Sequence, residues 1–139
     1  MIRVRLASPE ELPRCIAVRR VVFIEEQDVA EEIEVDGRDP EATHFIAEDG
    51  EVIGTARLRV VHGEAKAERV AVLREHRGRG VGAALMRALE AEATRQGLPA
   101  VVLGAQEHAV PFYEGIGYQV FGAAFLDANI PHRWMRKVL

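Results

Sequence analysis

Strands come first in the pattern of apolar and polar positions. Residues 2–6 alternate apolar and charged side chains, as a strand with one buried face does. Residues 44–48 and 52–61 predict two further strands, and the Asp49-Gly50 pair between them is typical of a tight β-hairpin turn. A second turn follows, and residues 68–73 predict the next strand.

Apolar residues spaced as on one face of a helix predict the helices. Leu12, Cys15, Ile16, Val22 and Phe23 fall on one face of a predicted first helix. A second helix is predicted over residues 81–96, and Gly97 stands where a helix end favours a left-handed residue. The remaining pattern predicts a strand at 100–103, a short helix at 111–115 and strands at 118–121 and 133–138.

The order of these elements predicts the fold class. Strands joined by hairpins pair antiparallel, whereas the strand–helix–strand unit through residues 81–96 requires one parallel pair with a right-handed crossover. The sequence therefore predicts a single α+β (mixed α/β) domain over residues 1–139. Its centre is one mixed, mainly antiparallel sheet with one parallel strand pair and helices on both faces.

Composition narrows the classes of function. The chain has 139 residues, of which 48% are hydrophobic, and a net charge of -4, which argues against a nucleic-acid partner. No apolar run approaches the roughly 20 residues that span a bilayer, so we expect no membrane partner. The first residues lack the apolar stretch of a secretory signal, so we expect a cytoplasmic protein. A single cysteine, Cys15, excludes an internal disulfide and a cysteine-rich zinc site, and we expect no metal.

The junction between the strand at 68–73 and the second helix is rich in glycine and arginine. The first amides of a helix have no partner within the helix, and the helix dipole attracts anions there. Glycines 78, 80 and 82 would let a phosphate approach without a Cβ clash, and Arg74, Arg77 and Arg79 add positive charge. The spacing fits neither the Walker A nor the Rossmann fingerprint. Read from glycine content alone, a phosphate cradle and a plain strand–helix turn are about equally favoured.

Two motifs resemble those of the GCN5-related N-acetyltransferases (GNAT). Arg77-Gly78-Arg79-Gly80-Val81-Gly82 matches the R-x-x-G-x-G pyrophosphate loop of that family, and residues 109–118, AVPFYEGIGY, match its A-x-x-F-Y-x-x-x-G-F motif. Residues 23–27 and 130–132 also resemble a small single-domain bacterial branch. The resemblance implies the GNAT-like acyl-CoA N-acyltransferase fold and acetyl-CoA as donor. It also implies direct attack by an amine in a ternary complex, without an acyl-enzyme.

The resemblance also implies where coenzyme A would lie. The strand before the glycine loop would hold the pantetheine arm, the loop would hold the diphosphate, and the second motif would approach the sulfur. Gln106 stands where the family often has an asparagine, so its contact with the cofactor would be made by an amide on a side chain that is one methylene longer. The implied cofactor residues are Val70, Ala71, Val72, Arg77, Gly78, Arg79, Gly80, Val81, Gly82, Ala83, Gln106, Phe112 and Tyr113.

Three residues are candidates for proton transfer. The amine must lose a proton to attack, and the departing thiolate must be stabilised or protonated. Tyr113 matches the family's acid, and a phenol is protonated at neutral pH; the alternative is that it only packs beside Phe112. His132, fixed by Pro131, is the candidate base because imidazole accepts a proton near neutral pH. Glu26, acting through water, is the alternative base.

The sequence leaves the acceptor open. Arg19 lies on the apolar face of the first helix, where it either binds a substrate carboxylate or pairs with a structural acid. Residues 25–41 hold nine acids, including Glu26, and either attract a cationic amine or form a solvated face. A small-molecule amine is the leading substrate class. The alternatives are a protein or peptide amine, or a non-catalytic acyl-CoA sensor on the same fold. Monomer and homodimer both remain open.

Overall fold

A seven-stranded sheet forms the centre of the molecule. The computed structural model describes residues 1–139, and the strands lie in the order β1-β2-β3-β4-β5-β7-β6. All neighbours pair antiparallel except β4 and β5, which are parallel, so the predicted fold class is confirmed. The strands are β1 Arg3–Leu6, β2 Thr43–Glu48, β3 Val52–Val61, β4 Glu64–Val72, β5 Ala100–Gln106, β6 Gln119–Asp127 and β7 Ile130–Val138. The helices are α1 Leu12–Arg19, with a π-helical continuation over Arg20–Glu26, α2 Glu31–Glu34, α3 Val81–Arg95 and α4 Val110–Gly115.

Helices cover both faces of the sheet. Gly54 in β3 faces α3, because a Cβ at this position would lie 3.2 Å from side-chain atoms of Val81 and Leu85. Successive strand residues point to opposite faces, so Thr55 and its register partner Ala71 face the other way. On that side, α1 and its continuation pack apolar side chains against Ala71. None of the helices is long and apolar enough to cross a lipid bilayer.

Several strands extend beyond their predicted ends. β4 begins at Glu64 rather than residue 68 because small alanines alternate with charged residues there and give a weak apolar signal. β6 runs on to Asp127 through a bulge at which Gly122 has φ +70°. β5 likewise continues to Gln106, and β7 already begins at Ile130. The acidic segment, expected to be rich in loops, includes the single turn of α2.

β4 and β5 are paired over a short stretch only and then separate. They pair only at Ala65–Val101 and Lys66–Val102, although both strands continue for several residues. A bulge in β4, at which Arg69 has φ +53°, bends its second half away. The result is a wedge between the two strands in which strand backbone lacks a partner strand.

Candidate active site

The glycine loop presents a run of free backbone amides. Gly78 and Gly80 both have φ +79°, a conformation that glycine adopts at little cost. The first backbone hydrogen bond of α3 runs from the amide of Ala84 to the carbonyl of Gly80. The amides of residues 78–83 donate to no acceptor in the chain. Six neighbouring donors at the start of a helix fit an anion such as a diphosphate.

Gly82 has a different role from the two glycines before it. It lies within α3, and a Cβ at this position would stand 3.3 Å from Cζ of Phe112. The absence of a side chain therefore lets the Phe112 ring, 40% exposed, lie directly over the first turn of α3. This contact brings the second motif up to the glycine loop.

The arginines of the loop are already engaged by carboxylates. Both terminal nitrogens of Arg77 donate to Glu26, at 2.9 and 2.8 Å, and its Nε donates to the carbonyl of Val72 at 2.9 Å. Arg79 donates to Oδ2 of Asp49 at 2.7 Å. Arg74 is 72% exposed and has a looser contact, 3.5 Å from Glu26. The free part of the predicted phosphate site is therefore its backbone together with Arg74, and Arg77 in addition holds the end of β4.

Glu26 is poorly placed for the base role that the sequence offered as an alternative. Its hydrogen bonds with Arg77 lower the pKa of the carboxyl group, which favours the ionised and weakly basic form. Glu26 also does not line the cavity described below. Its position therefore supports neither proton abstraction nor contact with the acceptor.

A cavity of about 500 Å³ opens beside the wedge between β4 and β5. Four of the predicted site residues line it, namely Val70 on β4, Gln106 at the end of β5, Tyr113 on α4 and His132 on β7. Residues of the segment 27–38 form the opposite wall. The fold thus brings both leading proton-transfer candidates to the lining of one cavity.

Tyr113 lies at the buried end of this cavity. Its ring makes edge contacts with Phe112 and Tyr118, at 4.9 and 5.8 Å between centroids. Burial raises the pKa of the phenol to about 12, and no hydrogen bond within the chain contributes to this change. The hydroxyl is therefore protonated at neutral pH and free to donate to a group in the cavity.

The tautomer of His132 follows from its hydrogen bond. Nδ1 lies 2.6 Å from the carbonyl oxygen of Ile130. A carbonyl only accepts, so Nδ1 carries the proton and Nε2 of the neutral ring keeps its lone pair. The ring stacks against Phe125, with centroids 5.5 Å apart. His132 therefore offers a proton acceptor at the wall of the cavity.

Comparison with known proteins agrees with this geometry. A family model described as an acetyltransferase (GNAT) domain matches residues 8–139. The chain belongs to the GNAT acetyltransferase family. It is 44% identical over 132 residues to the uncharacterized N-acetyltransferase YjcF of Bacillus subtilis, covering 94% of each chain.

Two solved structures share the GNAT fold over nearly their full length. An acyl-CoA N-acyltransferase from Pseudomonas aeruginosa superposes with a TM-score of 0.83 at 28% identity, covering 99% of both chains. Escherichia coli ElaA superposes with a TM-score of 0.87 at 26% identity, also covering 99% of both chains. The resemblance of the two motifs to this family is therefore confirmed at the level of the whole chain.

In this GNAT chain, Arg19 belongs to a buried ion network. Its side chain is 1% exposed, and its guanidinium donates to Glu34 at 2.8 Å and to Asp39 at 2.7 Å. It does not line the cavity. The position therefore does not support Arg19 as a ligand of a substrate carboxylate and agrees with the structural alternative, because its donors already have buried acceptors.

The same network fastens the acidic segment to the sheet. Arg57, fully buried in β3, donates to both oxygens of Asp36, at 2.9 and 2.8 Å, and to Asp39 at 3.0 Å. Arg69, at the β4 bulge, lies 2.7 Å from Glu34. Three acids of the run are thus neutralised from inside the protein. These three carboxylates are therefore not available to attract a cationic substrate.

Sequence reasoning predicted Gln106 but missed its two partners at the cavity, Gln27 and His108. Gln106 donates to Oε1 of Gln27 at 2.7 Å, and its own oxygen lies 2.7 Å from Nε2 of His108, so the amide links the segment 27–38 to the end of β5. Phe125 and Trp134 were missed as well, although the spacing of Trp134 from His132 places both on one face of β7. Nothing local marks Phe125, because its direction depends on the bulge in β6.

Proposed function

We propose that the protein is an N-acetyltransferase that transfers the acetyl group of acetyl-CoA to the amine of a small molecule by direct attack in a ternary complex. One observation carries this proposal: a protonated phenol, Tyr113, and an imidazole lone pair, that of His132, line one cavity beside the open wedge. Acyl transfer to an amine needs a donor for the departing sulfur and an acceptor for the amine proton.

The donor site has two parts. The free amides of residues 78–83 fit the diphosphate. The backbone of Val70 to Val72 has no partner in β5 and fits the amides of a pantetheine arm, apart from the carbonyl of Val72 that already accepts from Arg77. Phe112 covers the first turn of α3 between them. Acetyl-CoA supplies an activated thioester, and the protein has to hold its carbonyl carbon within reach of the amine.

Proton movements follow from the two side chains. The neutral amine attacks, its nitrogen bonds to the acetyl carbon, and His132 takes on Nε2 the one proton that this nitrogen loses in becoming an amide. Nδ1–H stays on the carbonyl of Ile130, which keeps the ring in place, while the carbon–sulfur bond breaks and its electron pair remains on sulfur as a thiolate. Tyr113 donates a hydrogen bond to that sulfur. The only cysteine, Cys15, is buried away from the cavity, in keeping with a route that has no acyl-enzyme.

One wall of the cavity supports a small acceptor over a protein. Residues of the segment 27–38 form one of its walls, and the buried pairs of Arg19 and Arg57 hold this segment on the sheet. A peptide substrate would need an open groove in place of this wall.

Two measurements test the proposal. Acetyl-CoA should raise the melting temperature of the protein, because a ligand that binds only the folded state stabilises it. Coenzyme A thiol should then be released in the presence of an amine panel. Stabilisation without thiol release for any amine would favour the acyl-CoA sensor, and absence of stabilisation would contradict donor binding altogether.

The base is tested by substitution at one fixed pH. His132→Ala should lose most of the rate, because no imidazole remains to take the amine proton. Glu26→Gln is the control and should keep most of the wild-type rate. A rate that falls in Glu26→Gln but not in His132→Ala would exchange their roles.

A further inference from the structure

One wall of the cavity is built from stacked rings. The Phe125 ring lies on Trp134 with centroids 4.6 Å apart and planes inclined by 21°, and it also stacks on His132. All three side chains line the cavity. We call Phe125, Trp134 and His132 the aromatic shelf. Neighbouring strands β6 and β7 supply it, so it sits on rigid sheet.

A glycine in the middle of β5 makes room for the shelf. A Cβ on Gly104 would stand 3.0 Å from Cζ of Phe125 and 3.7 Å from Trp134. Gly104 lies at no turn and does not have a positive φ, so its backbone does not need glycine. Its missing side chain instead allows the Phe125 ring to lie over the sheet next to the proposed base.

The charges around the shelf are mostly engaged with one another. Glu68 accepts from Arg59 at 2.7 Å and lies 3.1 Å from the ammonium of Lys66. The acids of the opposite wall are held by the buried arginines described above. Among the carboxylates that line the cavity, Asp127 at the β6–β7 turn alone makes no ion pair. A polyamine carries several cationic groups, and the cavity would therefore offer it only one unpaired carboxylate.

We propose that the acceptor is a primary amine joined by a short carbon chain to an aromatic ring. This inference rests on the proposed acetyl transfer and adds the class of its substrate. The ring of the acceptor packs on the aromatic shelf, where flat apolar surface is buried and ring contacts add to it. The short chain then places the nitrogen at Nε2 of His132, the edge of the same shelf. The hydrogen-bond and charge requirements of such a ligand are limited to this one nitrogen.

The test compares four amines with acetyl-CoA saturating: phenylethylamine, hexylamine, spermidine and a blocked lysine. Phenylethylamine should have the highest kcat/KM. Phe125→Leu keeps an apolar side chain but removes the ring, and should lower the ratio of kcat/KM for phenylethylamine over hexylamine by roughly 2- to 10-fold, the usual range for one aromatic contact. Taking a ratio cancels any effect of the substitution on His132, since both amines use the same base.

A matched control comes from the same strand. Phe121 is exposed and lies outside the cavity, so Phe121→Leu should leave the ratio unchanged. Gly104→Ala, which pushes on Phe125 without removing any ring, should lower the ratio in the same direction as Phe125→Leu. A higher kcat/KM for spermidine or blocked lysine than for phenylethylamine would overturn the inference while leaving the acetyl transfer intact. An unchanged ratio in Phe125→Leu would overturn it equally.

Binding can be followed without turnover because Trp134 is the only tryptophan. Phenylethylamine added to the protein saturated with coenzyme A should change the fluorescence of Trp134 at lower concentration than hexylamine, and this difference should shrink in Phe125→Leu. If these fluorescence differences appear but no thiol is released from acetyl-CoA, the preference of the cavity for an aromatic amine stands and the proposed transfer fails. If thiol is released but both amines bind equally, the transfer stands and the acceptor class fails.

Discussion

Replacing Tyr113 with phenylalanine removes one hydroxyl from the cavity and leaves the ring in place. Burial raises the pKa of this phenol to about 12, and the same burial would raise the pKa of a departing thiol beside it. The unperturbed values, about 10 for a phenol and about 8.5 for a thiol, therefore set the comparison, and full proton transfer from Tyr113 to the thiolate would be uphill by roughly 2 kcal/mol, at 1.36 kcal/mol for each pKa unit. Tyr113 is better suited to donate a hydrogen bond to the sulfur than to give up its proton.

The expected size of the effect follows from this distinction. A hydrogen bond to a charged group contributes about 1.5–3 kcal/mol, so Tyr113→Phe should lower kcat by about 10- to 150-fold. The affinity for acetyl-CoA and the melting temperature should change little, because the hydroxyl has no partner in the chain. Release of coenzyme A thiol gives kcat, and titration calorimetry gives the dissociation constant.

The second tyrosine is the control for this experiment. The hydroxyl of Tyr118 donates to Glu90 at 2.7 Å and does not line the cavity. Tyr118→Phe should therefore lower stability and leave kcat unchanged. An unchanged kcat in Tyr113→Phe would reduce Tyr113 to a packing residue, and a loss above about 10⁴-fold would point to full proton transfer instead of a hydrogen bond.

Three further predictions concern the loop and the buried network. Gly80→Ala and Gly97→Ala both place alanine at a positive φ in open space and should each cost about 1 kcal/mol, but only Gly80→Ala should weaken acetyl-CoA binding in a calorimetric titration. Asp39→Ala should lower the free energy of unfolding, measured in urea, by about 3 kcal/mol, because it leaves buried Arg19 with one carboxylate partner in place of two. A loss below about 1 kcal/mol would mean that the network behaves as an exposed ion pair. Burial alone would raise the pKa of Glu68, but neighbouring arginines and a lysine outweigh it and lower the pKa from 4.5 to about 2. Since this folded-state pKa is depressed, the contribution of Glu68 is present above about pH 4.5 and lost as the pH falls toward 2, so Glu68→Gln should flatten the pH dependence of stability in that window alone.

Much of the proposed donor site could be predicted from the sequence because it is built from local backbone geometry. The glycine loop lies directly between a strand and a helix, and its free amides follow from the start of α3 rather than from distant contacts. The element order and the single parallel pair likewise follow from periodicity and connection rules, and both are confirmed. Strand ends at Glu64 and Asp127 were missed because small residues there carry little periodic signal.

The roles of the charged residues were decided by tertiary structure. Sequence position left Arg19 and the acidic run as signs of opposite substrate charges, whereas in the fold Arg19 pairs with Glu34 and Asp39 of that run inside the protein. Glu26 lies far from Arg77 in sequence, and only their contact in the fold lowers the pKa of this carboxyl group. A charge acts through its nearest partners in space, and the sequence does not contain those distances.

The acceptor side of the cavity depends on tertiary structure for the same reason. Phe125 reaches Trp134 and His132 because of a bulge in β6 and a glycine on a third strand, β5. The sequence by itself determined the fold class and the loop that fits a diphosphate, since both depend on residues that are close together in the chain. Only the folding of the strands against one another decided which rings and charges line the cavity, because that surface is assembled from five strands, α4 and the segment 27–38.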